Sequence, residues 1–176
     1  MYRVKEIPKN TNPNLWNEES KLSRYNCGSL AFDVSIWYSP EWILEEKFED
    51  IAYVDELAER MWEKEFFPEE IADIYANLYL EAILIDFKDE VSVYDSSKSI
   101  KEDEELIAFR VGSGEINEDG YYESDIDFHF KVFRNGKWIE KNGSGDVHNC
   151  EVDDWIYDSY EYNSRTIYLV RKLNKI

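Results

Sequence analysis

A chain of 176 residues, 43% hydrophobic and 16% aromatic, is long enough to bury a core within one domain, and seven glycines with four prolines leave little room for long linkers. Thirty-nine acidic against twenty basic residues give a net charge of −19, which repels nucleic acid and membrane surfaces and steers basic partners toward the protein. No apolar run is long enough to span a bilayer, and Met1-Tyr2-Arg3-Val4-Lys5 lacks the apolar block of a signal peptide, so the expectation is a soluble protein of the cytoplasm. In that reducing compartment Cys27 and Cys150 are expected as free thiols.

Residues 1–24 mix Pro8, Asn10, Asn12, Pro13, Asn14 and Asn17 with few apolar positions and read as an extended arm pinned by Trp16. The chain then changes character. Leu30, Ala31, Val34 and Trp37 or Tyr38 follow helical spacing, which predicts a helix from Cys27 to about Tyr38 with the cysteine in its first turn. Backbone N–H groups there have no intrahelical partner and the helix end is positive, so a thiolate is favoured and a developing anion finds donors. A small buried thiol near a helix start fits the same residues.

Ser39 and Pro40 suit the cap and first position of a second helix. Residues 40–67 keep a broken helical period through Leu44, Phe48, Ile51, Val54, Leu57 and Met61, which predicts two helices or one bent one. Pro68, Glu69 and Glu70 open a further helix with a core stripe at Ile71, Tyr75, Leu78, Ala82 and Ile85, expected to be the most buried of the fold. After Asp89 the pattern becomes extended. Strands are predicted at 91–94, at 106–111 and at 166–170, with a charged loop at 96–104, a glycine-rich turn region at 112–120 and an acidic, tyrosine-rich loop at 151–162. Helices in 27–89 followed by strands in 91–176 predict a single α+β domain with an antiparallel sheet.

The clearest hairpin turns at Asn135-Gly136. A two-residue turn sets the register, placing Phe133 opposite Trp138, Lys131 opposite Glu140 and His129 opposite Asn142, all on one face, while Phe128, Phe130, Val132 and Ile139 point to the other. A strand histidine facing an asparagine is the base-and-orienter half of a thiol hydrolase site: the imidazole takes the thiol proton and the carboxamide fixes its tautomer. Glu140, diagonal to His129, is the second candidate for that role. A surface histidine on a half-exposed strand is the plainer alternative. His148 falls in an irregular loop without such support. A metal set of His129, His148 and Cys150, with or without Cys27, lacks the tight ligand pairs of structural zinc sites, and no Gly-rich phosphate loop, serine elbow or His-Glu-x-x-His helix occurs, so neither metal nor cofactor is expected.

Taken together, Tyr25-Asn26-Cys27-Gly28-Ser29-Leu30-Ala31, then Asp127-Phe128-His129-Phe130 and Trp138-Ile139-Glu140-Lys141-Asn142-Gly143-Ser144, form a pattern that resembles papain-like or NlpC-like proteins, many from phages and prophages of Firmicutes. The resemblance extends to residues 106–110 and the strand near Tyr168, and covers the helical middle poorly. It implies a papain-like fold in which the cysteine helix packs on an antiparallel sheet carrying the histidine. It also implies thiol chemistry on an amide or peptide bond, with Cys27 as nucleophile, His129 as base and Asn142 or Glu140 as third member. The oxyanion would be held by the Cys27 N–H with the side chain of Asn26 or Tyr25. The partner expected on this reading is a protein or peptide-like substrate, in a host cytoplasm for a phage protein, with no direct contact to nucleic acid or membrane. The alternative is a catalytically inactive acidic protein that binds and inhibits a host or defence factor, as nucleic-acid mimics do. Its support is the charge and the segment Asp153-Asp154-Trp155-Ile156-Tyr157-Asp158-Ser159-Tyr160-Glu161-Tyr162.

Overall fold

A computed structural model describes residues 25–34, 36–40, 60, 67–116, 122–123, 126–143, 145–157 and 160–173. The arm at 1–24 and nearly all of the helices expected over 40–67 lie outside these residues.

Two helices, α1 (Cys27–Phe32) and α2 (Pro68–Asp86), precede the strands. The strands are β1 (Val91–Val93), β2 (Glu104–Gly112), β3 (Glu115–Ile116), β4 (Tyr122–Glu123), β5 (Asp127–Arg134), β6 (Lys137–Lys141), β7 (Val147–Asn149), β8 (Ile156–Tyr157), β9 (Tyr160–Glu161) and β10 (Ile167–Lys172). Six of them form one sheet in the order β1-β10-β2-β5-β6-β7, every neighbouring pair antiparallel, with β3-β4 and β8-β9 as separate two-stranded ribbons. The class is α+β with an antiparallel sheet. β3, β8 and β9 fall where the sequence pattern predicted irregular chain. Two-residue strands are too short to show an alternation.

Alternation along the central strands divides the sheet into two faces. Ile107, Phe109 and Val111 of β2 and Phe128, Phe130 and Val132 of β5 join residues of α1 and α2 in the main core, with Ile139 against it. Phe130 stacks on Phe109 and meets Phe32 edge-on, which seats α1 directly on β5. On the opposite face Ala108, Trp155 and Tyr162 form a smaller cluster, with Trp138, Val152, Tyr160 and Tyr168 packed against it. Among the described residues, no helix is long and apolar enough to cross a membrane.

The expected helix from Cys27 to Tyr38 stops at Phe32. Asp33 takes a left-handed conformation at φ 55° and the chain folds back. What holds the return is Asn26, whose side chain bonds both the N–H and the carbonyl of Tyr38. Gly28 permits it, since a Cβ there would lie 2.8 Å from the Tyr38 ring. The Tyr38 hydroxyl in turn donates to Asp86 at the end of α2, 2.9 Å away. Burial raises the Asp86 carboxyl to about 6, against the lowering effect of that bond. α2 begins at Pro68 as expected, but its buried stripe is Ile71, Ala72, Tyr75, Ala76, Tyr79, Ala82 and Ile83, with Ile85 exposed. Its buried face thus matches the predicted stripe at Ile71, Tyr75 and Ala82 and departs from it at Leu78 and Ile85, where Tyr79 and Ile83 are buried instead.

At the far end of β5, Glu105 accepts from Arg134 at 2.6 and 2.9 Å and from Arg171 at 2.7 Å, joining β2, β5 and β10. Burial works against the Glu105 carboxylate, but the two guanidinium groups hold its pKa below the ordinary value. Arg134 also reaches the Leu30 carbonyl at 3.4 Å, tying this network to α1. Removing one partner of a buried ion network leaves the others desolvated and unpaired. Glu105→Ala should therefore cost about 3–5 kcal/mol of unfolding free energy in urea titrations. An unchanged midpoint would contradict the role given to this cluster.

Candidate active site

Cys27 is the first residue of α1, and the local sequence builds that position closely. Asn26 is the N-cap. Its Oδ1 accepts from Ser29 N at 3.0 Å and Ser29 Oγ at 2.8 Å, and Ser29 Oγ accepts from Asn26 N at 3.0 Å, completing a capping box. Cys27 is only 5% exposed, with its sulfur 3.9 Å from the Phe128 carbonyl oxygen at the start of β5. It lies at the wall of an open cleft of about 530 Å³, lined also by His129, Asp127, Asn142, Trp37 and Tyr157.

His129 follows Phe128 on β5 and is buried. Its Nε2 lies 2.9 Å from Glu140 Oε2, and Cys27 stands close enough to the ring to act on its charge. With Nε2 taken by Glu140, Nδ1 is the nitrogen left to face the sulfur. Burial alone would lower the His129 pKa, but Cys27 and Glu140 outweigh it and raise it to about 9.

Glu140 is the hub of the arrangement. Its other oxygen, Oε1, is 3.1 Å from Nε2 of His148, and Lys131 Nζ stands 3.8 Å from Oε2. His148 Nδ1 lies 3.1 Å from the Asp146 carbonyl. Burial works against the Glu140 carboxylate, yet His129, Lys131 and His148 hold its pKa below the ordinary value.

Trp155 and Tyr162 roof the imidazole. Buried Lys131 donates to the Glu151 and Asp154 carbonyls and lies 4.6 Å from the Trp155 ring centre, fastening this segment to the sheet. Trp155 meets His129 edge-on at 6.2 Å and Tyr162 lies against it at 5.2 Å. Tyr162 donates its hydroxyl to Asp127 Oδ2 at 2.8 Å, and its own pKa is raised by burial and by that carboxylate. Lys141, fully buried, donates to the Gly145 carbonyl and is within electrostatic range of Cys27.

The structure brings Cys27, His129 and Glu140 together. The predicted register holds through Lys131–Glu140 and there the ladder ends, so the expected His129–Asn142 pair is not made. The cause is local. Gly143 turns at φ 50° and the Asn142 carbonyl accepts from Gly145 N–H at 2.7 Å, so the chain leaves β5 and starts back toward β7. Asn142 lines the cleft, but the partner of His129 Nε2 is Glu140. Of the two oxyanion candidates, Tyr25 sits in the core and not in the cleft lining, and the Asn26 carboxamide is engaged as the cap of α1. His148, read from sequence as loop, is on β7 directly opposite Glu140. The glycines at 143 and 145 were the signal for that turn. Among the described residues, no group of three or more His, Cys, Asp and Glu is placed to hold a metal ion.

A histidine whose folded pKa is raised from 6.5 to about 9 is stabilised as the cation, so Glu140's contribution through it is complete below pH 6.5 and is lost as pH rises through 9. Glu140→Gln should therefore destabilise the fold by roughly 1–3 kcal/mol at pH 6, and by clearly less at pH 9.5, in paired urea titrations. A loss that does not change between those pH values would contradict the charge coupling. No known protein-family model, curated protein or solved structure matches the chain, and the functional reading therefore stands on this geometry.

Proposed function

We propose that the protein is a papain-like thiol hydrolase acting on an amide or peptide bond, with Cys27 as nucleophile, His129 as general base and acid, and Glu140 as the residue that orients the imidazole. The observation that carries this reading is the hydrogen bond between His129 Nε2 and Glu140 Oε2, which leaves Nδ1 as the ring nitrogen available to Cys27 in the cleft that both residues line. Thiol chemistry needs that arrangement of nucleophile, base and orienter.

On this reading the proton shared by Cys27 and His129 already rests on the imidazole, in keeping with its raised pKa, and the sulfur attacks the acyl carbon as the thiolate. The imidazolium is stabilised by the Glu140 carboxylate. The N–H of Cys27, at a helix position with no intrahelical acceptor, donates to the oxyanion. Collapse breaks the C–N bond, and His129 returns its proton to the departing amine, leaving a thioester. Water, deprotonated by the same imidazole, then attacks the thioester, releasing the acid and restoring the thiolate. Lys141 adds positive charge near the sulfur.

The second thiol supplies an internal comparison. Burial and the neighbouring Glu140 push Cys150 up to about 12, so it stays protonated and unreactive at neutral pH. Iodoacetamide at pH 7.5 should alkylate Cys27 at least about tenfold faster than Cys150, and His129→Ala should slow Cys27 about tenfold while leaving Cys150 unchanged. Equal rates at the two thiols, or no response to His129→Ala, would overturn the assignment. A second reading, an acidic binding protein, is favoured by the exposed Asp153, Asp154, Ile156 and Tyr157 presented on the anchored Trp155 segment. Biological activity that survives Cys27→Ala in folded protein but not Asp153→Lys/Asp154→Lys would select it.

A further inference from the structure

The cleft carries a charge pattern that the proton-transfer residues do not explain. Asp127 lies two residues before His129 on β5, so the two share a face and their Cα atoms stand roughly 7 Å apart, about two residues of extended chain. Its carboxylate is held from two sides, by the Phe128 N–H on Oδ1 at 2.8 Å and by the Tyr162 hydroxyl on Oδ2 at 2.8 Å. Each oxygen keeps a lone pair for a further donor. Trp37 and Tyr157, also in the lining, are 41% and 45% exposed and offer aromatic surface to the same space. Among the described lining residues none is lysine or arginine. The −19 net charge adds an attractive field for cations around the mouth.

We propose that this cleft is a subsite for a cationic side chain, so that the substrate is a peptide or peptide-like amide with lysine or arginine beside the bond that Cys27 attacks. The inference rests on the hydrolase reading of Cys27. An ammonium or guanidinium group placed against Asp127 gains a charge-assisted hydrogen bond to a carboxylate that is already oriented. The exposed aromatic rings contribute cation–π attraction to the same group. An acidic side chain would meet the Asp127 charge, and the cation in the described lining, His129, is already engaged by Glu140.

Thiol reagents of different charge test this without a known substrate. In full-length Cys150→Ser protein, the cationic methanethiosulfonate bearing trimethylammonium and the anionic one bearing sulfonate are each scaled to their rates with free cysteine. The scaled cationic-to-anionic ratio at Cys27 should exceed tenfold. Asp127→Asn should cut it at least threefold once each rate is divided by that variant's own rate with neutral iodoacetamide, and Glu102→Gln, an exposed carboxylate outside the cleft, should leave the ratio unchanged. On protein with the native Asp127, Nα-acetyl-arginine amide should slow iodoacetamide at Cys27 and Nα-acetyl-glutamine amide should not, which covers an Asp127→Asn variant that fails to fold. A ratio near one, a ratio that responds equally to Asp127→Asn and Glu102→Gln, or equal protection by both amides would overturn the subsite. Neutral alkylation that still depends on His129 in that case leaves the hydrolase reading intact, whereas loss of that dependence removes both.

Discussion

Glu140 turns one carboxylate oxygen to a buried imidazole and the other to an exposed one, with a lysine ammonium beside the first. The candidate site depends on that placement, because it decides which nitrogen of His129 remains for Cys27. It also sets the electrostatics of the pocket. A histidine as buried as His129 would ordinarily be driven to its neutral form, and the negative charge supplied by Glu140 and the Cys27 sulfur reverses the direction. Lys131 compensates Glu140 in part while its ammonium fastens the segment that roofs the imidazole. Charge balance and the shape of the roof therefore rest on the same few atoms.

The sheet keeps two kinds of chemistry apart. Phe128, Phe130 and Val132 bury one face of β5 against the helices, while His129 and Lys131 project from the other into a polar network under Trp155 and Tyr162. Strand alternation makes both possible within a few residues, and strong packing on the apolar face holds the polar face in register. α1 is seated on that apolar face and presents Cys27 where the β5–β6 ladder ends, next to the Phe128 carbonyl. The Asn26 cap, the Tyr38 return and the Tyr38–Asp86 bond hold the adjoining wall that carries Trp37.

Much of this was legible before any coordinates. The Asn135-Gly136 turn adopts positive φ at both residues and produces the predicted partners Phe133–Trp138 and Lys131–Glu140, because a two-residue turn leaves the register no freedom. The cysteine at the start of a helix and the histidine on a strand were also readable from spacing. The third member was not decided between Asn142 and Glu140, since that choice depends on where the ladder stops. Gly143 and the Asn142–Gly145 turn end it at Lys131–Glu140, two positions before Asn142 would face His129. The end of α1 was missed because Val34 and Tyr38 keep the helical period in sequence, while in space Asp33 reverses the chain and Asn26 captures Tyr38. Asn26 looked like an oxyanion donor for the same reason: its tertiary partner is twelve residues away and invisible to local pattern. His148 was passed over because β7 is three residues long and shows no periodicity of its own.

The coupling of the three groups can be observed at one nucleus. Following the His129 imidazole by 15N NMR across pH, in the native protein and in the Cys27→Ala and Glu140→Gln variants, reads the protonation of the ring itself. The account predicts titration near 9 in the native protein and a downward shift in each variant. A ring that titrates near the ordinary value of 6.5 and does not respond to either substitution would contradict it.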